Sequence, residues 1–169
     1  IRKQIEAGDI TLDDIYSVHP FGNTMCVIRV TGQQVLDALE WGARAVPSEN
    51  GGFLQVSGLT YEIHTGVASS AEKDENGMFT RVSGEYRVKN VMVGGQPLEL
   101  DKTYTLASHN YMLLGHGDGY TMFDGCEVLG EDMMVDNQVL ITYITTTLGG
   151  VVGEQYANPY GDGRIVAVE

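Results

Sequence analysis

Glycine fills 22 of the 169 positions and proline only four, close to twice the usual glycine share of about 7%. Glycine at that density, without the proline that would stiffen a linker, marks frequent tight turns between short elements. Short strands and tight connections follow. Local patterns fill in the order of elements. Thr11 precedes Leu12-Asp13-Asp14-Ile15, with acids in the first turn where the helix dipole favours them, and Pro20 closes the segment, so a short helix is expected. Thr24 to Val30 is apolar and β-branched enough for a buried strand. Thr31 with Gln34 then forms a capping-box signature, and Val35, Leu36, Leu39, Ala43 and Val46 recur at helical spacing as far as Pro47.

Further along, Leu59, Tyr61 and Ile63 alternate with polar residues in a strand over 59–64. Ala68 to Gly77 reads as an exposed loop. Tyr86 to Val93, the Gly94-Gly95 turn and Thr103 to Ala107 predict antiparallel pairing with one another. Asp136 stands where it would cap a helix with Val139, Leu140, Tyr143, Ile144 and Leu148 inward, stopped by Gly149 and Gly150, and Arg164 to Val168 forms a last strand. Runs of strands punctuated by two or three helices, without strict alternation, indicate an α+β fold with helices on mixed sheets. At this length one domain buries roughly 70% of its unfolded surface, so no disulfide or structural metal is required.

Ten Lys and Arg stand against 23 Asp and Glu, a net charge of −13. That is the wrong sign for neutralising phosphates along a nucleic acid, so nucleic acid is not an expected partner. Apolar runs such as Val139 to Leu148 are broken by threonine well short of the ~20 residues of a membrane span, so no membrane insertion is expected. Cys26 and Cys126 make neither a disulfide framework nor a zinc set, and each sits in an apolar segment as a small buried thiol.

The four histidines, His19, His64, His109 and His116, are scattered without metal-ligand spacing, so no metal site is expected in this chain. Ser57 lies outside a Gly-x-Ser-x-Gly elbow and neither cysteine has the flanks of a catalytic motif, so no catalytic residue is assigned. What remains is two glycine-flanked loops: Pro20-Phe21-Gly22-Asn23-Thr24, and Tyr111 to Tyr120 with Gly117-Asp118-Gly119 inside it. A flat ring stacks on a nucleobase for roughly 1–3 kcal/mol, and a carboxylate accepts hydrogen bonds from both ribose hydroxyls. The same residues also suit ordinary core aromatics and the polar tip of a turn; Gly161-Asp162-Gly163 reads as such a turn before the last strand.

These loops are part of a longer series. Pro20 to Thr24, Thr31-Gly32, Gly52-Phe53-Leu54-Gln55-Val56-Ser57-Gly58-Leu59, Asp101-Lys102-Thr103-Tyr104 and Gly117-Asp118-Gly119-Tyr120 follow one another in an order and spacing that resemble the C-terminal domain of 5′-nucleotidases and UDP-sugar hydrolases. Ile1-Arg2 is similar to the end of that family's Asn-Gly-Gly-Gly-Ile-Arg segment. The resemblance implies a four-layer α/β/β/α arrangement, and a single domain over residues 1–169, truncated at its N-terminal end. It also implies a separate N-terminal metallophosphoesterase domain, absent from this chain, that carries two divalent metal ions. The implied role is nucleotide or nucleoside recognition in contact with that domain, in an extracellular, cell-wall or periplasmic enzyme, the fragment alone being inactive.

Carried over residue by residue, the resemblance assigns Phe21 to one stacking ring, Asp118 to the ribose, Arg2 to the nucleotide, and Asn23 and Gly117 to the same loops. The second ring position aligns with Met112, with Tyr111 one place away, and His116 replaces the first glycine of the family's Gly-Gly-Asp-Gly. A cyclic-nucleotide phosphodiesterase or UDP-sugar hydrolase of the same superfamily, or a non-catalytic cell-surface binding module, would carry the same motifs.

Overall fold

The computed structural model describes residues 4–158 and 161–169. Thr11 opens helix α1 (Leu12–Val18): its hydroxyl accepts from the Asp14 N–H while Asp14 accepts from the Thr11 N–H, the reciprocal box that satisfies two orphan helix donors. Strand β1 (Met25–Thr31) turns Cys26, Ile28 and Val30 inward on alternate positions. Thr31 and Gln34 form the second box, which opens α2 (Gly32–Ala43). Most of α2 is buried, from Val35 through Ala38, Leu39, Glu40 and Trp41 to Ala43, because it touches both β1 and the later strand Val88–Val93.

Strand β2 (Leu59–His64) pairs antiparallel with β5 (Val88–Val93) and parallel with the last strand, β9 (Ile165–Val168), giving a mixed sheet with the two-residue β6 (Gln96–Pro97) at its far edge. A second sheet has the order β7-β1-β8, from β7 (Thr103–His109) and β8 (Glu127–Gly130). The class is α+β, as the pattern of elements indicated. Helix α2 contacts strands of both sheets. Val88 N–H donates to the buried Glu40 carboxylate, and the Arg87 guanidinium donates to the carbonyls of Ala43 and Val46 at the C-terminal end of α2. Burial raises the Glu40 pKa against the pull of these donors.

Three local expectations change. The stretch Ala68 to Gly77 is not wholly loop: β3 (Ala71–Lys73) pairs with β4 (Phe79–Val82) in a hairpin. Asp74 makes it turn by accepting from the N–H groups of Asn76 and Met78, and Phe79 buries against Trp41 with ring centroids 5.7 Å apart. Thr103 to Ala107 does not pair with β5. The Gly94-Gly95 turn leads only into β6, where Pro97 has no N–H to extend the ladder, and β7 crosses to run along all of β1, from Met25 opposite His109 to Thr31 opposite Thr103.

Asp136 does not cap its helix. Val135 is the N-cap, Asp136 is the first helical residue of α4 (Asp136–Thr142), and a π-helical turn (Tyr143–Thr147) follows. Val139, Leu140, Ile144 and Leu148 are only half-buried and Tyr143 is exposed, since α4 lies outside and contacts α1. Both cysteines are free thiols. No helix among the described residues is long and apolar enough to cross a membrane.

Candidate functional site

The pairing of β1 with β7 decides where the glycine-flanked loops meet. Met25 lies opposite His109, so the loop entering β1 and the short helix leaving β7, α3 (Asn110–Leu113), emerge at the same end of the sheet. Two hydrogen bonds tie them: Thr24 N–H donates to Asn110 Oδ1 at 3.1 Å, and Asn110 N–H donates to the Thr24 carbonyl at 2.8 Å. Phe21 precedes this tie by three residues and Tyr111 follows it by one. Phe21 and Tyr111 are 57% and 47% exposed, a large apolar area facing water on adjoining segments.

The acid arrives from the other side of α3. His109 Nδ1 accepts from Met112 N–H and caps that helix, and the chain then turns through His116 and Asp118, whose φ values of 54° and 55° place both in the left-handed region that non-glycine residues seldom adopt. A Cβ on Gly117 between them would lie 2.2 Å from Cε1 of Tyr111, so any side chain there would push that ring away. The Tyr111 ring therefore rests on the Gly117 backbone, and its hydroxyl stands 3.4 Å from Asp118 Oδ1. Asp118 is exposed, and on its other flank Gly52 approaches so closely that a Cβ would stand 3.1 Å from Asp118 Cβ.

Met112 is only 7% exposed and packs in the core, where its apolar chain contributes to folding; Tyr111, one residue earlier, is the side chain at the surface. Asn23 is half-buried and its carbonyl accepts from Asp136 N–H at 2.8 Å, joining the Phe21 loop to α4. Arg2 lies outside the described residues. His116 approaches Asp124 at 3.7 Å.

Two residues that the sequence did not single out support the group. Trp41, the one tryptophan of the chain, donates its indole N–H to the Asp118 carbonyl at 2.9 Å. Arg44 lies 3.7 Å over the Trp41 ring, and partial burial lowers its pKa while the nearby Asp118 and Tyr120 pull the other way. Burial also lowers the pKa of His109, opposed by Asp136 and Asp118. Among the described residues no group of three or more His, Cys, Asp or Glu side chains is arranged to hold a metal ion. Two concavities are present, the smaller at the end of β1 and β7 from which both loops emerge. One of about 250 Å³ is lined by Phe53, Gln55, Val56 and the 161–165 turn, and one of about 200 Å³ lies between Met25, His109, Asp136 and Val139. Phe21, Tyr111 and Asp118 are each exposed.

A family model described as the 5′-nucleotidase, C-terminal domain, matches residues 1–125. The chain belongs to this family. It is 33% identical over 168 residues to the trifunctional nucleotide phosphoesterase protein YfkN of Bacillus subtilis, covering 99% of this chain and 10% of that protein. It is 31% identical over 144 residues to a 5′-nucleotidase of Vibrio vulnificus, covering 85% of this chain and 22% of the relative. Among solved structures, a 5′-nucleotidase precursor from Thermus thermophilus superposes with a TM-score of 0.78 at 31% identity, over 99% of this chain and 30% of that one. This 5′-nucleotidase C-terminal domain thus spans between 10% and 30% of the length of these relatives.

Proposed function

We propose that this domain is the nucleotide-recognition part of a metal-dependent 5′-nucleotidase that hydrolyses nucleotide phosphate esters, with the metal centre on a metallophosphoesterase domain N-terminal to it. Two divalent ions held by that domain would supply the chemistry of water activation and charge stabilisation. The residues of this chain hold the nucleoside end. Phe21 and Tyr111 flank the base, Asp118 accepts from the ribose hydroxyls, and Asn23 and Gly117 shape the loops that carry them. Holding the base and sugar turns binding energy remote from the reacting phosphorus into its orientation, which raises the rate without any proton transfer here.

One observation carries this reading: an exposed tyrosine ring seated on a glycine, with its hydroxyl 3.4 Å from the carboxylate of a left-handed aspartate. A left-handed conformation persists where surrounding contacts over-determine it, and such positions cluster at functional sites. The open setting supports a second surface, supplied by the metal-bearing domain, that closes over the phosphate end and excludes water. An extracellular, cell-wall or periplasmic setting accompanies the reading, and the Thermus relative is described as a precursor. The similarity to a protein described as a trifunctional nucleotide phosphoesterase favours one second reading, a nucleotide phosphoesterase that acts on more than one kind of phosphate ester through the same recognition surface.

In the full-length protein Phe21→Ala and Tyr111→Ala should each lower kcat/KM for nucleotides about tenfold or more, the loss of one stacking face, with Met112→Leu near wild type. Kinetics unchanged by Phe21→Ala would remove that ring from the site. Titration of the full-length protein with adenosine, uridine and guanosine, followed by NMR, should confine the shifts within this domain to the loops around Phe21, Tyr111 and Asp118.

A further inference from the structure

We infer that Trp41 is a positioning residue for sugar recognition: through its indole N–H it holds Asp118 in the left-handed conformation that presents the carboxylate to the ribose. The inference rests on the nucleoside reading above and adds to it a residue buried in α2, remote in sequence from both loops. Asp118 has φ 55° and ψ 17°, a left-handed conformation that single aspartates can adopt but that costs more than the right-handed one, so contacts that hold its peptide help to keep it there. The hold comes from three sides. The Trp41 N–H donates to the Asp118 carbonyl at 2.9 Å. The edge of the same ring, together with the Gly77 carbonyl of the β3–β4 hairpin, closes over Gly119 so tightly that a Cβ there would lie 2.9 Å from each. On the third side, the Thr121 hydroxyl ties the segment after the turn to the Phe79 carbonyl at 2.5 Å.

The indole is itself fixed. Trp41 is 1% exposed, Phe79 meets it edge to face, and the Arg44 guanidinium covers it at 3.7 Å while donating to the Trp41 carbonyl at 2.6 Å. A buried tryptophan needs one partner for its N–H. Here that partner is the backbone of the residue whose side chain faces the sugar, so losing the bond lets the 118–119 peptide rotate and moves the carboxylate. A tryptophan that served only to fill the core would affect stability and leave the choice of sugar untouched.

The test is the ratio of kcat/KM for a ribonucleotide to that for its 2′-deoxy analogue, measured on the full-length protein. Asp118→Asn sets the scale and should lower the ratio about tenfold, the loss of a charged hydrogen bond to one hydroxyl. Trp41→Phe removes the N–H but also volume. A second variant, with benzothienylalanine at position 41, keeps the bicyclic shape and puts sulfur where the N–H was. Both should lower the ratio roughly threefold to fivefold, the worth of one ordinary hydrogen bond, with thermal stability of the benzothienyl protein close to wild type. If the benzothienyl protein keeps the wild-type ratio while Asp118→Asn collapses it, the role of Trp41 is overturned. If Asp118→Asn itself leaves the ratio unchanged, the ribose reading falls, and the assignment of Trp41 with it.

Discussion

The chain carries the triplet Gly-Asp-Gly twice, at 117–119 and at 161–163, and the two copies have little in common beyond their letters. In the first, Asp118 is left-handed, its carbonyl is held by Trp41 and its carboxylate has the Tyr111 hydroxyl at 3.4 Å. In the second, the Asp162 carboxylate is engaged by Arg164, which donates from Nε at 2.7 Å and from its backbone N–H at 3.3 Å. The glycines differ as sharply. A Cβ on Gly117 or Gly119 would strike an aromatic ring, whereas Gly161 and Gly163 have nothing within 4 Å of theirs. A carboxylate already satisfied by a neighbouring arginine turns the chain, and one left facing an exposed ring and the solvent is available to a ligand. The packing around the glycines, not the triplet, separates the two.

The third residue of each triplet gives the sharpest contrast, because the backbone is the same and only the surroundings differ. Gly119 has φ 86° and Gly163 has φ 85°. Alanine at either position incurs the left-handed penalty of about 1–2 kcal/mol. At Gly119 it also collides with Trp41 and the Gly77 carbonyl, which adds about 1–3 kcal/mol of overpacking. Denaturant titration should therefore place Gly119→Ala at roughly 2–5 kcal/mol below wild type and Gly163→Ala at no more than about 2 kcal/mol. Equal losses would mean that the hairpin and the indole yield, and the contrast between the turns would dissolve.

The next effect is smaller and depends on pH. His109 accepts from Met112 N–H and so caps the helix that carries Tyr111. Its pKa is lowered by burial, so the unfolded chain takes up a proton at a pH where the folded chain does not. Stability is then full above the ordinary histidine value of about 6.5 and is lost as pH falls below it, until the folded group titrates. His109→Asn retains a capping oxygen without the titration. Between about pH 7 and pH 5 the wild-type Tm should fall by roughly 2–4 °C more than that of His109→Asn. Parallel curves would remove His109 as the group responsible.

How much of this was legible beforehand depended on the range of the forces involved. Both capping boxes were readable because donor and acceptor lie three residues apart, and the alternation of β1 because one buried face imposes it. The β7 pairing was not readable: a Gly-Gly turn favours a local hairpin, and only Pro97 and the contacts of residues 98–102 with the start of α2 send the strand elsewhere, with Gly32 donating to the Lys102 carbonyl and Gln33 to that of Leu100. The candidate site divides in the same way. Phe21, Asn23, Gly117 and Asp118 were assigned by resemblance to a series of motifs, which left the second face open between Met112 and Tyr111; only burial in α3, invisible to an alignment, puts Met112 in the core and Tyr111 at the surface. The indole of Trp41 meets Asp118 across 77 residues, and no local pattern records that.

The smallest expected effect lies in the second triplet. Asp162 has its pKa lowered, first by the hydrogen bond from the Arg164 side chain, so it contributes stability above the unfolded carboxylate value and loses it as pH falls through the depressed folded value. The pair is solvent-exposed, and exposed pairs contribute little. Asp162→Asn should therefore lower Tm slightly near neutral pH, with the gap from wild type closing as acid protonates the aspartate, and should leave nucleotide kinetics unchanged. If Asp162→Asn instead lowered kcat/KM as far as Asp118→Asn, the concavity beside Arg164, and not the ring-flanked turn, would be the place where the nucleotide sits.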